Sequence, residues 1–303
     1  MLASLLRRLY LFQVVAGALL GAYFAESMAQ VALLPITVGA VLLPLLLQFM
    51  VIGYTMFKSR AQHDPDLWWQ AFLGEFVAAL QIFCFQLPWT RRQPEMLMPD
   101  ADTKWARGDS RLPVLLVHGY ICNHRVWDKL ARVLRRSGHP VLAINLEPLF
   151  TSIDNYAQPI EQAVQTLLRE TGTTKVVLIG HSMGGLAIRA WMRSHGSHRV
   201  ARVITLGTPH MGTQIAKLSP TPNGAQMIWH SPWLKALQCS ETSAIRALMH
   251  IALTHQDNIV FPQRDQVLEG ADITEFKGLG HLEMCQNDGV IQWVLQQFTI
   301  EHA

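Results

Sequence analysis

Lys175-Val176-Val177-Leu178-Ile179-Gly180-His181-Ser182-Met183-Gly184-Gly185 is the stretch from which the fold can be read. An apolar, β-branched run ends in Gly180-His181-Ser182-Met183-Gly184, which has the form G-x-S-x-G. A helical pattern follows from Gly184 to Arg193. A serine between two glycines at a strand-to-helix junction describes a sharp elbow. The glycines are needed because a Cβ at either position would collide with the neighbouring strand or helix. The expected result is an exposed hydroxyl at the N-terminus of a helix.

The same texture extends to both sides. Val114 to Val117, Val141 to Asn145, Val176 to Ile179, Val203 to Leu206, His250 to Thr254 and Ile273 to Phe276 are near-continuous apolar runs. Such runs suit strands of a parallel sheet buried on both faces. Amphipathic stretches near Arg125 to Arg136, Tyr156 to Glu170, Gly184 to Arg193 and Gly289 to Phe298 alternate with them. Alternation of this kind predicts a mostly parallel α/β sheet with helices on both faces. Upstream, residues 90 to 112, with Pro94, Pro99 and Gly108, read as the domain boundary.

The N-terminus is a different material. The whole chain of 303 residues is 50% hydrophobic and 16% charged, against about a quarter charged in ordinary soluble domains. The deficit sits in residues 1 to 57, whose only charged side chains are Arg7, Arg8 and Glu26. Leu9 to Ala25 and Val31 to Phe57 form two apolar runs, the second without a charge. A membrane span needs about 20 such residues, so a transmembrane hairpin is expected over residues 1–60, closed by the short link at residues 26–30. Arg7 and Arg8 before it and Lys58 and Arg60 after it place both ends in the cytoplasm. A cleaved signal peptide ending near Ala25 is the competing reading; the second run would still cross.

Leu67 to Leu87 is apolar with Gln70, Gly74, Glu75, Gln81 and Gln86 near a helical repeat, which suits a helix lying in the membrane surface. A third span there would move everything beyond Pro88 to the periplasmic side. Arg91 and Arg92 favour the cytoplasm. Residues 61–111 thus read as interfacial helix and linker.

With His118-Gly119-Tyr120 after an early strand, Gly207-Thr208-Pro209-His210-Met211-Gly212 after the strand beyond the elbow, and Asp257 and His281 following in that order, the chain resembles the α/β-hydrolase superfamily, and within it the bacterial triacylglycerol lipases and esterases. The likeness covers roughly residues 112 to 300. It implies an α/β-hydrolase catalytic domain over 112–303, with a short cap at about 213–247 containing Met227, Trp229, Trp233 and Leu237. It also implies a nucleophile Ser182, a general base His281, an orienting acid Asp257, and an oxyanion hole from the backbone N–H groups of Tyr120 and Met183. His118 and His210 read as structural, and Asp265, Asp272 and Glu283 as loop or helix-end charges.

The expected function is that of a membrane-anchored serine hydrolase, in a bacterial inner membrane, acting on carboxylic esters of lipids without cofactor or metal. An acyltransferase or thioesterase would use the same triad, and a non-catalytic membrane-bound scaffold is the alternative of another class. Net charge +3 with no basic stripe excludes nucleic acid as a partner; oligomeric state is left open. Cys84, Cys122, Cys239 and Cys285 show no C-x-x-C spacing. An exported domain would permit a Cys239–Cys285 disulfide.

Overall fold

The computed structural model describes residues 1–27, 33–60, 67–90, 94–99 and 111–298. The link at residues 28–30, Arg91, Arg92 and most of the linker before residue 111 lie outside the described residues.

Six strands form one parallel sheet: β1 Val114–Val117, β2 Val141–Ile144, β3 Val176–His181, β4 Val200–Leu206, β5 Met249–Thr254 and β6 Asp272–Phe276, in the order β2-β1-β3-β4-β5-β6. Alternate residues point to opposite faces. Leu115, Val117 and Leu178 pack with Ile160, Val164, Leu186 and Trp191 of α5 (Ala157–Thr171) and α6 (Met183–His195). Val114, Leu116, Val177 and Ile179 pack with Leu130, Leu134, Val290 and Val294 of the helices Asp128–Arg136 (α4) and Asp288–Gln296 (α10). Burial on both faces is why these strands lack polar alternation. β3 lies inside the sheet, so Ser182 at its end emerges at the middle of one edge of the domain.

The insert after β4 contains the short helices α7 (Pro222–Gln226), α8 (Pro232–Cys239) and α9 (Ser243–Arg246). It packs down onto the α5/α6 face. Leu234 and Leu237 are buried in that core, and Trp233 Nε1 donates to Asp154 at 2.9 Å. All four cysteines are free; Cys239 is exposed while Cys285 is buried.

At the N-terminus, α1 (Leu2–Ser27) and α2 (Leu33–Ser59) pack side by side, and the stretch Trp68–Trp89 follows; all three are long and apolar enough to cross a membrane. Gly17 and Gly21, one helical turn apart, lie against the backbone of Gly39 and Pro35, where a Cβ would strike a carbonyl oxygen. Small residues at this spacing let two apolar helices approach closely without a hydrophobic driving force. Most other side chains of the pair, such as Leu11, Phe12, Leu19, Val41 and Phe57, face outward. Both free ends of the hairpin return to the sheet domain: Leu2 and Leu6 are buried with Leu87 and Leu149, and Asn258 and Gln263 donate to Thr55 Oγ1 and the Ser59 carbonyl, each at 2.9 Å.

α3 (Trp68–Ala79) continues through a wider-wound stretch, Leu80–Gln86, to Leu87–Trp89. A helix resting in a membrane surface should turn its polar residues to water. Here Glu75 and Gln86 are buried against the protein instead, while Gln70 and Gln81 are exposed. Glu75 is 1% exposed, and Gln70 and Gly74 lie against the loop at residues 278–283. Trp69, Leu73, Val77 and Phe85, by contrast, are 59–72% exposed. The far end is also tied down, as Asn123 Nδ2 donates to the Leu87 carbonyl at 3.0 Å.

Candidate active site

Ser182 sits at the junction of β3 and α6 with φ 54° and ψ −130°, a conformation that side chains other than glycine rarely adopt. Its N–H donates to the Leu206 carbonyl at 2.9 Å, and a Cβ on Gly184 would run into the Val117 carbonyl. The elbow is thus held between two strands. Met183 is the first residue of α6, so its N–H has no acceptor within the helix. Gly119 crosses the nucleophile with bare backbone: a Cβ there would stand 2.7 Å from that of Ser182. The next residue, Tyr120, lines the same cavity as Ser182 and His281.

His281 lies in the loop after β6, and Asp257 in the loop after β5. His281 Nδ1–H donates to Asp257 Oδ2 at 2.8 Å. The other carboxylate oxygen accepts from Ile259 and Val260 N–H at 2.8 and 2.7 Å, which fixes the carboxylate plane. Burial depresses the His281 imidazole, but the adjacent Asp257 carboxylate, with Glu75 adding to it, outweighs burial and holds it above its ordinary value. Ser182 and His281 share the cavity without a direct hydrogen bond, a spacing that is common before substrate binds.

Several residues that support this site were given no role by the sequence. Asn258 Oδ1 accepts the His281 backbone N–H at 3.1 Å. His181 Nε2–H donates to the His281 carbonyl at 3.1 Å, and burial keeps His181 well below its ordinary value and so neutral. Gly207, at φ 54°, lies where a Cβ would stand 3.1 Å from Asp257 Oδ2 and 3.2 Å from His281 Nδ1. Glu75 accepts the N–H groups of Leu282 and Glu283 at 2.8 and 3.1 Å, so a carboxylate from α3 clamps the loop next to His281. One signal for Glu75 was available: it is the only charge between Trp68 and Trp89, and an ionisable group in so apolar a stretch is a functional candidate by default.

His118 and His210 engage elsewhere. His118 Nε2 accepts from Leu146 N–H at 2.9 Å and its Nδ1–H donates to the Gly119 carbonyl at 2.8 Å. Burial pushes it down to about 4. His210 is bonded to Thr205 and Arg189. Asp265, Asp272 and Glu283 are outside the His281 hydrogen bond, which Asp257 alone accepts. Among the described residues, no group of three His, Cys, Asp or Glu is placed to hold a metal ion.

The expected cap is displaced. None of residues 213–247 lines the cavity; the insert touches the site from behind, through the Tyr120 hydroxyl, bonded to Ser219 and Thr221 at 3.1 Å each, through Thr213 Oγ1 on the Ile259 carbonyl, and through Asn223 Nδ2 on Met183 Sδ. The facing wall comes from Leu9 and Tyr10 of α1, residues 44–55 of α2, and Glu75, Ala79 and Phe83. The hairpin ends dock beside the acid and base loops, and so occupy the place that the insert was expected to fill.

A family profile described as alpha/beta hydrolase fold matches residues 113–225. The structure superposes on the lipase BlEst2 of Bacillus licheniformis in its mature form with a TM-score of 0.57, at 17% identity, covering 69% of this chain and all of that one. The chain has the α/β-hydrolase fold. In sequence, this α/β-hydrolase domain is similar to the triacylglycerol lipase of Pseudarthrobacter phenanthrenivorans, with 38% identity over 116 residues, 35% of this chain and 36% of that lipase. It is similar to the same degree to the triacylglycerol lipase of Burkholderia plantarii, covering 35% of this chain and 32% of that lipase. The chain thus spans about a third of the length of these curated relatives. The profile match, residues 113–225, holds the elbow and the Gly119 loop.

Proposed function

We propose that the protein is a membrane-anchored serine hydrolase that cleaves carboxylic esters of lipids through an acyl-serine intermediate. The observation that carries this reading is the meeting, at one cavity, of a serine on a strained elbow and a histidine bonded to a buried aspartate, with apolar helices as the opposite wall. The alternative of a non-catalytic scaffold leaves the strain at Ser182 without a purpose.

In this mechanism His281 Nε2 takes the proton of Ser182 Oγ as Oγ attacks the ester carbonyl, and Asp257 stabilises the imidazolium. The N–H groups of Tyr120 and Met183 receive the oxyanion. His281 then returns the proton to the leaving alkoxide. In the second half, water loses a proton to His281, attacks the acyl-serine carbonyl and releases the acid, and Ser182 regains its proton. The names of the sequence relatives, both triacylglycerol lipases, support an ester of lipid type.

In this reading α1 and α2 cross the bilayer as a hairpin, with the catalytic domain at its open end. The contacts of Leu2, Leu6, Thr55 and Ser59 with that domain support one side for both ends. Attachment of α3 to the domain along its polar face supports a helix that does not cross. With Arg7, Arg8 and Lys58 at those ends, the side is cytoplasmic.

Labelling with a fluorophosphonate tests the nucleophile. Wild type should label and turn over p-nitrophenyl butyrate, and Ser182→Ala should do neither. Equal labelling of both proteins, or of neither, would falsify the assignment. Addition of an alcohol acceptor separates hydrolysis from transfer, since a transferase would give the new ester in preference to the acid.

A further inference from the structure

The cavity holding Ser182 and His281 has a volume of about 410 Å³. To its outer wall α2 contributes one stripe: Pro44, Leu47, Gln48, Val51, Ile52 and Thr55, spaced i, i+3, i+4, i+7, i+8, i+11. Thr55 marks the catalytic end, because its hydroxyl is bonded to Asn258, which in turn accepts the His281 N–H. From Thr55 back to Pro44 the helix advances about 16 Å at about 1.5 Å per residue. The stripe is not sealed. Leu47 and Val51 line the cavity and are 37% and 62% exposed, as is Leu9 at 47%.

Resting on the hydrolase reading above, we propose that this channel binds one acyl chain of a lipid ester that enters sideways from the bilayer and delivers its carbonyl to Ser182. The membrane helices are then the acyl site as well as the anchor. An extended chain advances about 1.2 Å per bond, the limit set by about 3.3–3.6 Å per three-bond residue of backbone. A channel of about 16 Å therefore accepts about 13 bonds, an acyl chain of roughly 12–14 carbons.

The test is the chain-length profile of the full-length protein on p-nitrophenyl esters in detergent micelles. Wild type should show kcat/KM rising to about C12–C14 and falling beyond it. A block at Val51 lies about 6 Å, or about five bonds, from Thr55, so Val51→Trp should move the maximum to about C6. Leu47→Trp, about 12 Å and about ten bonds away, should move it to about C10. Val51→Phe should shift it in the same direction by less, and Val41→Trp, on the outward surface and away from the channel, should not shift it. Fluorophosphonate labelling of each variant reports whether the site is assembled. Labelled variants that share the wild-type maximum, or that lose all chain lengths equally, overturn the channel and leave the hydrolase reading standing. A wild type that neither labels nor cleaves any ester overturns both. In phosphatidylcholine vesicles the rate should follow the mole fraction of a long-chain ester in the bilayer. A rate set by bulk concentration alone would overturn sideways entry.

Discussion

Gly207→Ala is a one-carbon probe of the Asp257–His281 pair. The new Cβ would stand 3.1 Å from Asp257 Oδ2, 3.2 Å from His281 Nδ1 and 3.3 Å from Met284 Sδ. All three separations are short of ordinary van der Waals contact, so the carboxylate and the imidazole must part by a few tenths of an ångström. The backbone adds its own cost, because φ is 54° and a side chain in the left-handed region costs about 1–2 kcal/mol. For a domain of this size, that lowers Tm by about 2–8 °C. Misplacement of catalytic groups by about 1 Å can cost a factor of about 100. A shift of a few tenths is therefore expected to lower kcat on p-nitrophenyl butyrate about tenfold, or about 1.4 kcal/mol of barrier, with KM little changed. Gly270→Ala is the matched control: its φ is 88°, but the nearest atom to a Cβ is Arg246 Cβ at 3.6 Å. It should show a comparable fall in Tm with full kcat. Equal kcat in the two variants would refute the argument that Gly207 is required by its contact with the pair.

Glu75→Ala removes the acceptor of two buried N–H groups, at about 1–3 kcal/mol each. Thermal unfolding in detergent should shift down by several degrees, with activity largely restored in Glu75→Gln, whose amide oxygen can still accept. Asp257→Asn withdraws the main support for the His281 imidazolium, so the acid limb of kcat/KM should move to lower pH while the plateau falls by about 10⁴; an unmoved limb would show that another group sets it. His118, held near 4 by burial, binds its proton more readily when unfolded. Its contribution to stability is full above about pH 6.5 and is lost as pH falls towards 4, on the order of 3 kcal/mol. Tm measured from pH 7 to pH 4 should fall, and less steeply in His118→Asn.

The sheet was legible because its inner strands are buried on both faces, which leaves an unbroken apolar run such as Val176 to Ile179; β6, at the edge, is half-exposed. The elbow was legible because steric crowding there tolerates so few residues. Ser182, Asp257 and His281 could be named from chain order and a family resemblance; Ser182 and His281 line one cavity, and Asp257 is bonded to His281. The facing wall was not legible. Periodicity in Leu67 to Leu87 shows which residues share a face, but not whether that face meets water or protein. Glu75, read as part of a face turned to the membrane surface, is buried against the protein. The insert at 213–247 was equally opaque, since Trp233, which suited a cap, serves as well to pack it beside α6. Gly207 and Asn258 act through contacts between segments far apart in the chain, which local sequence does not encode.

The bonds from Glu75 to Leu282 and Glu283 span more than 200 residues, and this has a bearing on how the protein is made. The helix that carries the carboxylate leaves the ribosome early, while its partners are about 10–40 s away at about 5–20 residues per second. Through that interval this apolar stretch holds a carboxyl group without the N–H donors it later pairs with and without a domain to lie on. In the anchored reading proposed above, the hairpin inserts first, and α3 docks once β6 and the loop after it have been made. The loop that carries His281 is therefore secured only after residue 283 has been synthesised, and a chain cut short before that residue would leave the third helix unattached.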